Sequence, residues 1–511
     1  MRGTGGDTHK YEEKRMRRSF LETLNEYCSR DYYPWHMPGH KRMENLISHR
    51  FRVEQDVTEL PGLDNLHVPE GAIAESMAQL PDIYGSRKSY YLVNGSTCGI
   101  LTAISAVCNR GDTIIMGRHC HKSVYHAVAL LELKPIYLYP NIIQPYEICG
   151  SISPEQVEKA LKENPEAKAV IFPSPTYEGI LSDVKEISDM IHKSGAKLIV
   201  DEAHGAHLEF GTDCPQTAIR CGADLVIESL HKTLPCYTQC AILHVGDGSL
   251  TEQVERYLSI YQTSSPSYLF VANMEDCIAT MEAWRDNRMR EYYHCLRYYR
   301  EKWSKLTGIH LLMPLEVEQA GGFAYDESKL VFGLLKSRID GAEFLEQMES
   351  EFGMVLEMAS VHYVLAMTSV ADSEEAFLRL DKALKEMDER ISAKAEQNSS
   401  MQKRISFPIM NGCEVEICRE MELIPGMAWK RETESILLSK AAGRIAGDFV
   451  TVYPPGIPIL VPGERIQEHQ IAYVRKCLDT GLNVHGIRMK QDLKAGGKCI
   501  TVLSEEKNGG S

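Results

Sequence analysis

From about residue 61 to residue 310, short apolar runs alternate with longer amphipathic stretches. Apolar runs of about four residues bounded by turn residues read as buried strands, and the 3.6-periodic stretches between them as helices. The predicted strands are Tyr90–Val93, Thr113–Met116, Pro135–Tyr139, Ala169–Phe172, Leu198–Val200, Leu225–Glu228 and Ala241–Val245. The predicted helices between them include Ile100–Cys108, Ser123–Leu131, Pro154–Asn164 and Val184–Ser194. Such alternation predicts an α/β fold, a mostly parallel seven-stranded sheet with helices on both faces. Ligands of these sheets bind beyond the carboxyl ends of the strands.

The pattern changes on either side of this region. Residues 1–14 show no periodicity, and residues 15–60 join a helical stretch, Arg15 to Ser29, to a turn at His36–Lys41, so 1–60 reads as an N-terminal arm. Residues 311–395 read as a small α/β domain, with strands at Lys329–Leu334 and Val361–Ala366 and an amphipathic helix from Ser373 to Ala393. The polar run Ala395–Ser400 reads as a linker. Residues 405–511 read as a C-terminal α+β domain that contains a stiff extended segment, Tyr453–Pro458.

Chemistry-bearing residues collect where the apolar runs stop. Lys232 follows the strand that ends at Ser229, and burial there lowers an amine's pKa and makes it a nucleophile. Ser229 and His231 beside it offer neutral donors that suit a phosphate. Asp201 closes another buried strand, the placement a protonated pyridine nitrogen needs in its partner. Asn94-Gly95-Ser96-Thr97 opens a helix after a third strand. Its glycine turn, its two hydroxyls and the free N–H groups of a helix start form a phosphate cradle. His121 is placed to cover a ring face, with His119 as its rival, and Ala203 to press the opposite face, where a larger side chain does not fit. His204 is expected against the cofactor or the substrate carboxylate. Phosphate cup, ring stacker, pyridinium partner and Schiff-base lysine, taken together, point to pyridoxal 5′-phosphate.

Composition narrows the partners. Of 511 residues, 25% are charged and 43% hydrophobic, as in an ordinary globular protein. A formal net charge of −15 argues against nucleic acid and anionic membranes and mildly favours cationic ligands. No run of 18 apolar residues exists to span a membrane. The 15 cysteines form no CxxC pair, so neither a zinc site nor a disulfide framework is expected. Reduced, buried thiols in a cytoplasmic protein are. No metal site is expected.

The chain resembles the ornithine/lysine/arginine decarboxylase family of fold-type-I pyridoxal phosphate enzymes. The stretches that carry the resemblance are Trp35–Lys41, Leu63–Gly71, Val93–Thr97, His121–Val124, Pro173–Gly179, Asp201–Gly205, Ser229–Lys232 and Tyr453–Pro458. They span nearly the whole chain. The length resembles the family's short form, such as biosynthetic arginine decarboxylase, without an added N-terminal receiver-like domain. The resemblance implies decarboxylation of a basic L-amino acid to its amine and CO2, feeding polyamine synthesis. Arginine ranks first, lysine second and ornithine third.

The same resemblance assigns further roles. It implies a homodimer or higher even-numbered oligomer, with the N-terminal arm packed on the neighbouring subunit. The loop holding Ser264 and Ser265 would reach the partner's cofactor phosphate. That stretch is expected to lie too close behind the lysine strand to reach its own. Glu434, at a position the family keeps acidic, would meet the cationic end of the substrate; a solvated helix-face carboxylate is the alternative. Trp35, where phenylalanine is commoner, and Leu234-Pro235-Cys236, where small residues are usual, depart from the pattern. Another fold-type-I reaction, such as transamination or aldol cleavage, and a non-catalytic regulatory homologue are the rival readings. An arginine clamp for a second carboxylate would favour transamination, and loss of Lys232, Asp201 or the cradle would favour the regulator.

Overall fold

The structure, a computed structural model, describes residues 29–42, 55–60, 62–334, 337, 339–396, 421–454, 456–490 and 497–505. The helix expected over Arg15 to Ser29 lies outside them but for Ser29. Ala395 and Glu396 of the expected linker belong instead to the helix Glu374–Glu396, and residues 397–400 lie outside the described residues.

Seven strands form the main sheet: β1 (Lys88–Leu92), β2 (Thr113–Gly117), β3 (Lys134–Leu138), β4 (Ala169–Pro173), β5 (Lys197–Asp201), β6 (Leu225–Glu228) and β7 (Ala241–Val245). Their order is β1-β7-β6-β5-β4-β2-β3. Six run one way, and β7 is antiparallel to both its neighbours. Alternate residues face opposite sides of the sheet. Val170, Phe172, Leu198, Val200 and Val226 join one core, while Ala169, Ile171, Ile199, Leu225 and Ile227 join the other. Each large apolar side chain so buried contributes about 1.5–3 kcal/mol.

The covering helices α1 (Ala72–Tyr84), α2 (Gly95–Val107), α3 (Lys122–Leu130), α4 (Pro154–Glu163) and α5 (Val184–Ser194) begin and end on recognisable signals. Ser153 Oγ and Asp183 Oδ1 accept the N–H groups of Gln156 and Glu186 at the starts of α4 and α5. Gly195, at φ +82°, stops α5.

A second sheet of four antiparallel strands, Lys329–Gly333 and Tyr363–Met367 at its centre, packs beneath the helices Arg288–Trp303 and Glu374–Glu396. Trp303 meets Phe332 edge-on and stacks on Phe377 at this seam. The strand Tyr33–Trp35 pairs in parallel with Met354–Leu356 of the same chain, and the indole of the fully buried Trp35 donates to Met354 Sδ. This part of the arm therefore docks on its own chain.

The C-terminal region folds as two three-stranded antiparallel sheets and a helix, Glu468–Asp479. Arg118, at the end of β2, fixes it to the main sheet. Its guanidinium donates to Pro458 O at 2.7 Å and pairs with Glu464 at 3.3 Å, both side chains being buried. Among the described residues no helix is long and apolar enough to cross a membrane.

Candidate active site

The carboxyl edge of the main sheet opens onto a cavity of about 740 Å³. Asp201 ends β5, the central strand, in register with Pro173 on one side and Ile227 on the other. The short helix Leu230–Thr233 follows β6 and carries Lys232 into the cavity. Burial lowers the Lys232 pKa, and the Asp201 carboxylate opposes that shift. Asp201 itself is pushed up by burial, with Lys232 holding it down. Lys232 Nζ lies 3.0 Å from His204 Nε2. Burial and the Lys232 charge together drive the His204 pKa well below the ordinary histidine value, so this imidazole is neutral. Behind it, Lys329 donates to His204 O and pairs with Asp326, which also meets His207. This buried cluster anchors the loop after β5.

The cradle is built at the end of β1. Gly95 takes a φ of +73°, a left-handed turn that L side chains rarely adopt, and α2 starts there. A Cβ at Gly99 would lie 2.7 Å from Leu92 Cδ1 and 2.9 Å from Ile227 Cγ2, so this glycine lets α2 sit directly on the sheet. No side chain caps the helix, and Ser96 and Thr97 line the cavity at its open end. Gln239 Nε2 donates to Val93 O at 2.6 Å, tying the cradle to the segment after Lys232. His231 lines the same region, its Nδ1 3.2 Å from Cys240 O and its pKa lowered by burial to about 4.

His121 opens α3, where its Nδ1 accepts the N–H of Ser123. Burial and then Lys232 lower its pKa to about 3. His119 also lines the cavity; it is buried, neither ring nitrogen has a partner, and burial lowers its pKa to about 3. Ala203 completes the lining set.

Not every expected residue reaches the cavity. Ser229 is fully buried behind the wall, its Oγ without a hydrogen-bond partner. Ser264 and Ser265 are exposed and do not line this chain's cavity. Their loop nevertheless runs beside its own cradle, correcting the expectation that it follows the lysine strand too closely to fold back there. Gln262 Oε1 accepts Val93 N–H, and Thr263 N–H donates to Asn94 Oδ1. The helix Thr251–Tyr261 packs on α2 and brings the chain back. Glu434 lies on the edge strand Thr433–Leu437, not on a helix; it is paired with Arg444 at 2.6 Å and stands outside the cavity. Its place on that edge strand, paired with Gly497–Leu503, keeps it away from this chain's site.

Other lining residues had no role assigned from the sequence. Glu357 accepts the N–H of Met37 at 2.9 Å and the hydroxyl of Tyr177, whose ring lies 4.5 Å from that of His204. Burial raises the Glu357 pKa, while Lys41 and Lys232 hold it down. Tyr177 and Glu178 lay in a family-like stretch without an assigned role; Glu357 lay in none. An acid set between Leu356 and Met358 was the available clue. Tyr453, Pro454 and Ile457 close the cavity from the C-terminal region.

The residues present fit pyridoxal phosphate. An uncapped helix start with two hydroxyls suits the phosphate. The partnerless ring nitrogens of His119 and a buried carboxylate facing a lysine suit a polar aromatic ring bound in the cavity.

The comparisons with known proteins agree with this geometry. The family model for the Orn/Lys/Arg decarboxylase major domain matches residues 19–327, and that for the Orn/Lys/Arg decarboxylase C-terminal domain matches residues 420–490. An arginine decarboxylase of Bacillus subtilis is 31% identical over 472 residues, 91% of this chain and 94% of that one. The inducible lysine decarboxylase of Escherichia coli is 22% identical over 85% of this chain and 72% of its own length. Among solved structures, lysine decarboxylase A from Pseudomonas aeruginosa superposes with a TM-score of 0.75 at 19% identity, covering 95% of this chain and 80% of that one. With both family models placed along one chain, and a relative above 30% identity matched over nearly its full length, the chain belongs to the Orn/Lys/Arg decarboxylase family.

Proposed function

We propose that this chain removes CO2 from a basic L-amino acid, arginine before lysine before ornithine, and releases the corresponding amine for polyamine synthesis. The cofactor is pyridoxal 5′-phosphate. The observation that carries the reading is a lysine of lowered pKa facing a buried aspartate, on neighbouring strand ends, beside an empty-handed helix start. When bound, the cofactor supplies an aromatic electron sink for the bond that breaks.

The residues of the chain do the rest. Lys232 would hold the cofactor through its aldehyde, and its amine is the group that the substrate amine would replace. His204, neutral and 3.0 Å from Lys232 Nζ, hydrogen-bonds the lysine amine and holds it in place. Asp201 keeps a proton on the ring nitrogen, and burial strengthens that charge contact. Gly95, Ser96, Thr97 and His231 would hold the phosphate, while His121 and Ala203 would flank the ring. Lys232 or His231 returns a proton to Cα. Tyr453, Pro454 and Ile457 shield the site from water. Two chains at least assemble, with Ser264 and Ser265 of each serving the other, and the protein works in the cytoplasm. The support is that these hydroxyls are exposed on a loop anchored at the cradle.

Release of CO2 from arginine, lysine and ornithine tests the activity directly. Borohydride reduction of the yellow holoenzyme should bleach it and add the cofactor's mass to Lys232. No CO2 from any of the three, or a label on another residue, would sink the reading.

A further inference from the structure

The site cavity adjoins a smaller chamber of about 150 Å³, and Cys149, Glu178, Pro454 and Ile457 line both. Ile142, Met358, Val452 and Leu482 give the chamber apolar walls. Glu178 stands at the junction, only 6% exposed. Tyr363 Oη donates to its Oε1 at 2.6 Å.

Its charge is what sets Glu178 apart. Asp201 faces Lys232, and Glu357 faces Lys41 and Lys232. The other charged groups of the chamber have partners as well: Arg118 pairs with Glu464, Glu147 lies 3.5 Å from His362, and Lys476 sits in the field of Glu147. Among the described residues no lysine, arginine or histidine pairs with Glu178. A buried carboxylate without a cation is strongly disfavoured, and a cationic ligand relieves it.

We propose that Glu178 is the specificity-determining carboxylate for the cationic end of the substrate, whose side chain extends past it into the chamber. This rests on the decarboxylase reading above. The apolar walls take the methylene stem. The carboxylate keeps free lone pairs beside its bond from Tyr363, and a planar guanidinium engages them with two parallel N–H groups where an ammonium offers a point charge.

Glu178→Gln keeps the shape and the acceptor for Tyr363 but removes the charge. The KM for arginine rises about 10- to 100-fold while kcat stays within about threefold, the pattern of lost uniform binding. Calorimetry with agmatine, the amine left when arginine loses CO2, shows its Kd rising by a similar factor, and the cofactor absorption band is unchanged. Tyr363→Phe, which keeps the charge, raises KM by less than about fivefold. As an independent variant, Ala359→Leu narrows the chamber from a wall it does not share with the main cavity. It lowers kcat/KM for arginine relative to ornithine, the shorter substrate. An unchanged KM and agmatine Kd in Glu178→Gln, or an unchanged arginine-to-ornithine ratio in Ala359→Leu, overturns the proposal. Failure of the underlying reading looks different: wild-type protein then yields no CO2 from any of the three acids.

Discussion

Replacing Gly39 with alanine tests whether the N-terminal segment holds the reactive lysine in place. Gly39 N–H donates to His231 O at 2.8 Å, and Ser369 Oγ donates to Gly39 O at 2.5 Å, so this residue is clamped from both sides. A Cβ there would meet Leu234 O and Thr233 C at 2.7 Å and Leu234 N at 2.8 Å, all backbone atoms. Each falls roughly 0.6 Å or more inside ordinary van der Waals contact, and no side-chain rotation relieves it. The methyl must push the helix Leu230–Thr233, and Lys232 moves with it. Overpacking of this kind costs about 1–3 kcal/mol. A displacement of about 1 Å at a reacting group costs about two orders of magnitude in rate. Gly39→Ala should therefore melt at a lower temperature, retain cofactor less well and lose most of its kcat. The checks are a thermal melt, the visible absorption of the holoenzyme and CO2 release. A variant with a lowered Tm but full kcat would refute the coupling between this turn and the lysine, and an unchanged Tm would refute the packing argument itself.

Asp201→Asn should fold and still take the borohydride label on Lys232, yet lose about 3 kcal/mol or more of barrier lowering, roughly two orders of magnitude in rate; near-normal turnover would mean that another group serves the ring nitrogen. Asp64 accepts N–H groups from Asn65, Glu70, Gly71, Ile73 and Ala74 around the start of α1. Burial pushes its pKa up, but these bonds outweigh burial and hold it at about 2. Since that lies below the unfolded value of about 3.9, the stabilisation is complete above about pH 4 and vanishes as pH falls through about 2. Asp64→Asn should lower Tm at neutral pH and converge on wild type near pH 2, and a gap constant with pH would locate the effect elsewhere. Mixing Lys232→Ala with the Ser264→Ala/Ser265→Ala double variant should restore part of the activity, because one site of each mixed dimer is then intact; proven subunit exchange without recovery shows that each chain builds its own site.

The main sheet was legible because its strands are buried on both faces and therefore read as near-continuous apolar runs. The errors lie at the ends. Lys88, Lys134 and Lys197 open strands whose hydrogen-bond ladders extend beyond the apolar run, and Gly95 already belongs to α2. The reversal of β7 left no trace in composition, since Ala241–Val245 is as apolar as the strands that run the other way. Lys232, Asp201 and the cradle were readable because each sits one to four residues past the end of an apolar run, where local pattern predicts location. Glu357 and Tyr177 were not, because they meet across 180 positions of chain and only packing brings them together. Glu434 was misplaced for a related reason. Thr433–Leu437 shows no alternation of polar and apolar residues, and its partner Gly497–Leu503 comes more than 60 positions later.

The pairing of Arg118 with Glu464 also orders events while the chain is being made. The two residues are 346 positions apart. At about 5–20 residues per second, roughly 20 to 70 s separate their appearance during synthesis. Until Glu464 emerges, the guanidinium at the end of β2 has neither that carboxylate nor the carbonyls of Pro458 and Ile459, and Tyr453, Pro454 and Ile457 have not yet closed over the lysine. The nascent enzyme thus carries its reactive amine uncovered for nearly half of translation and gains a closed pocket only near the end, when the C-terminal region arrives.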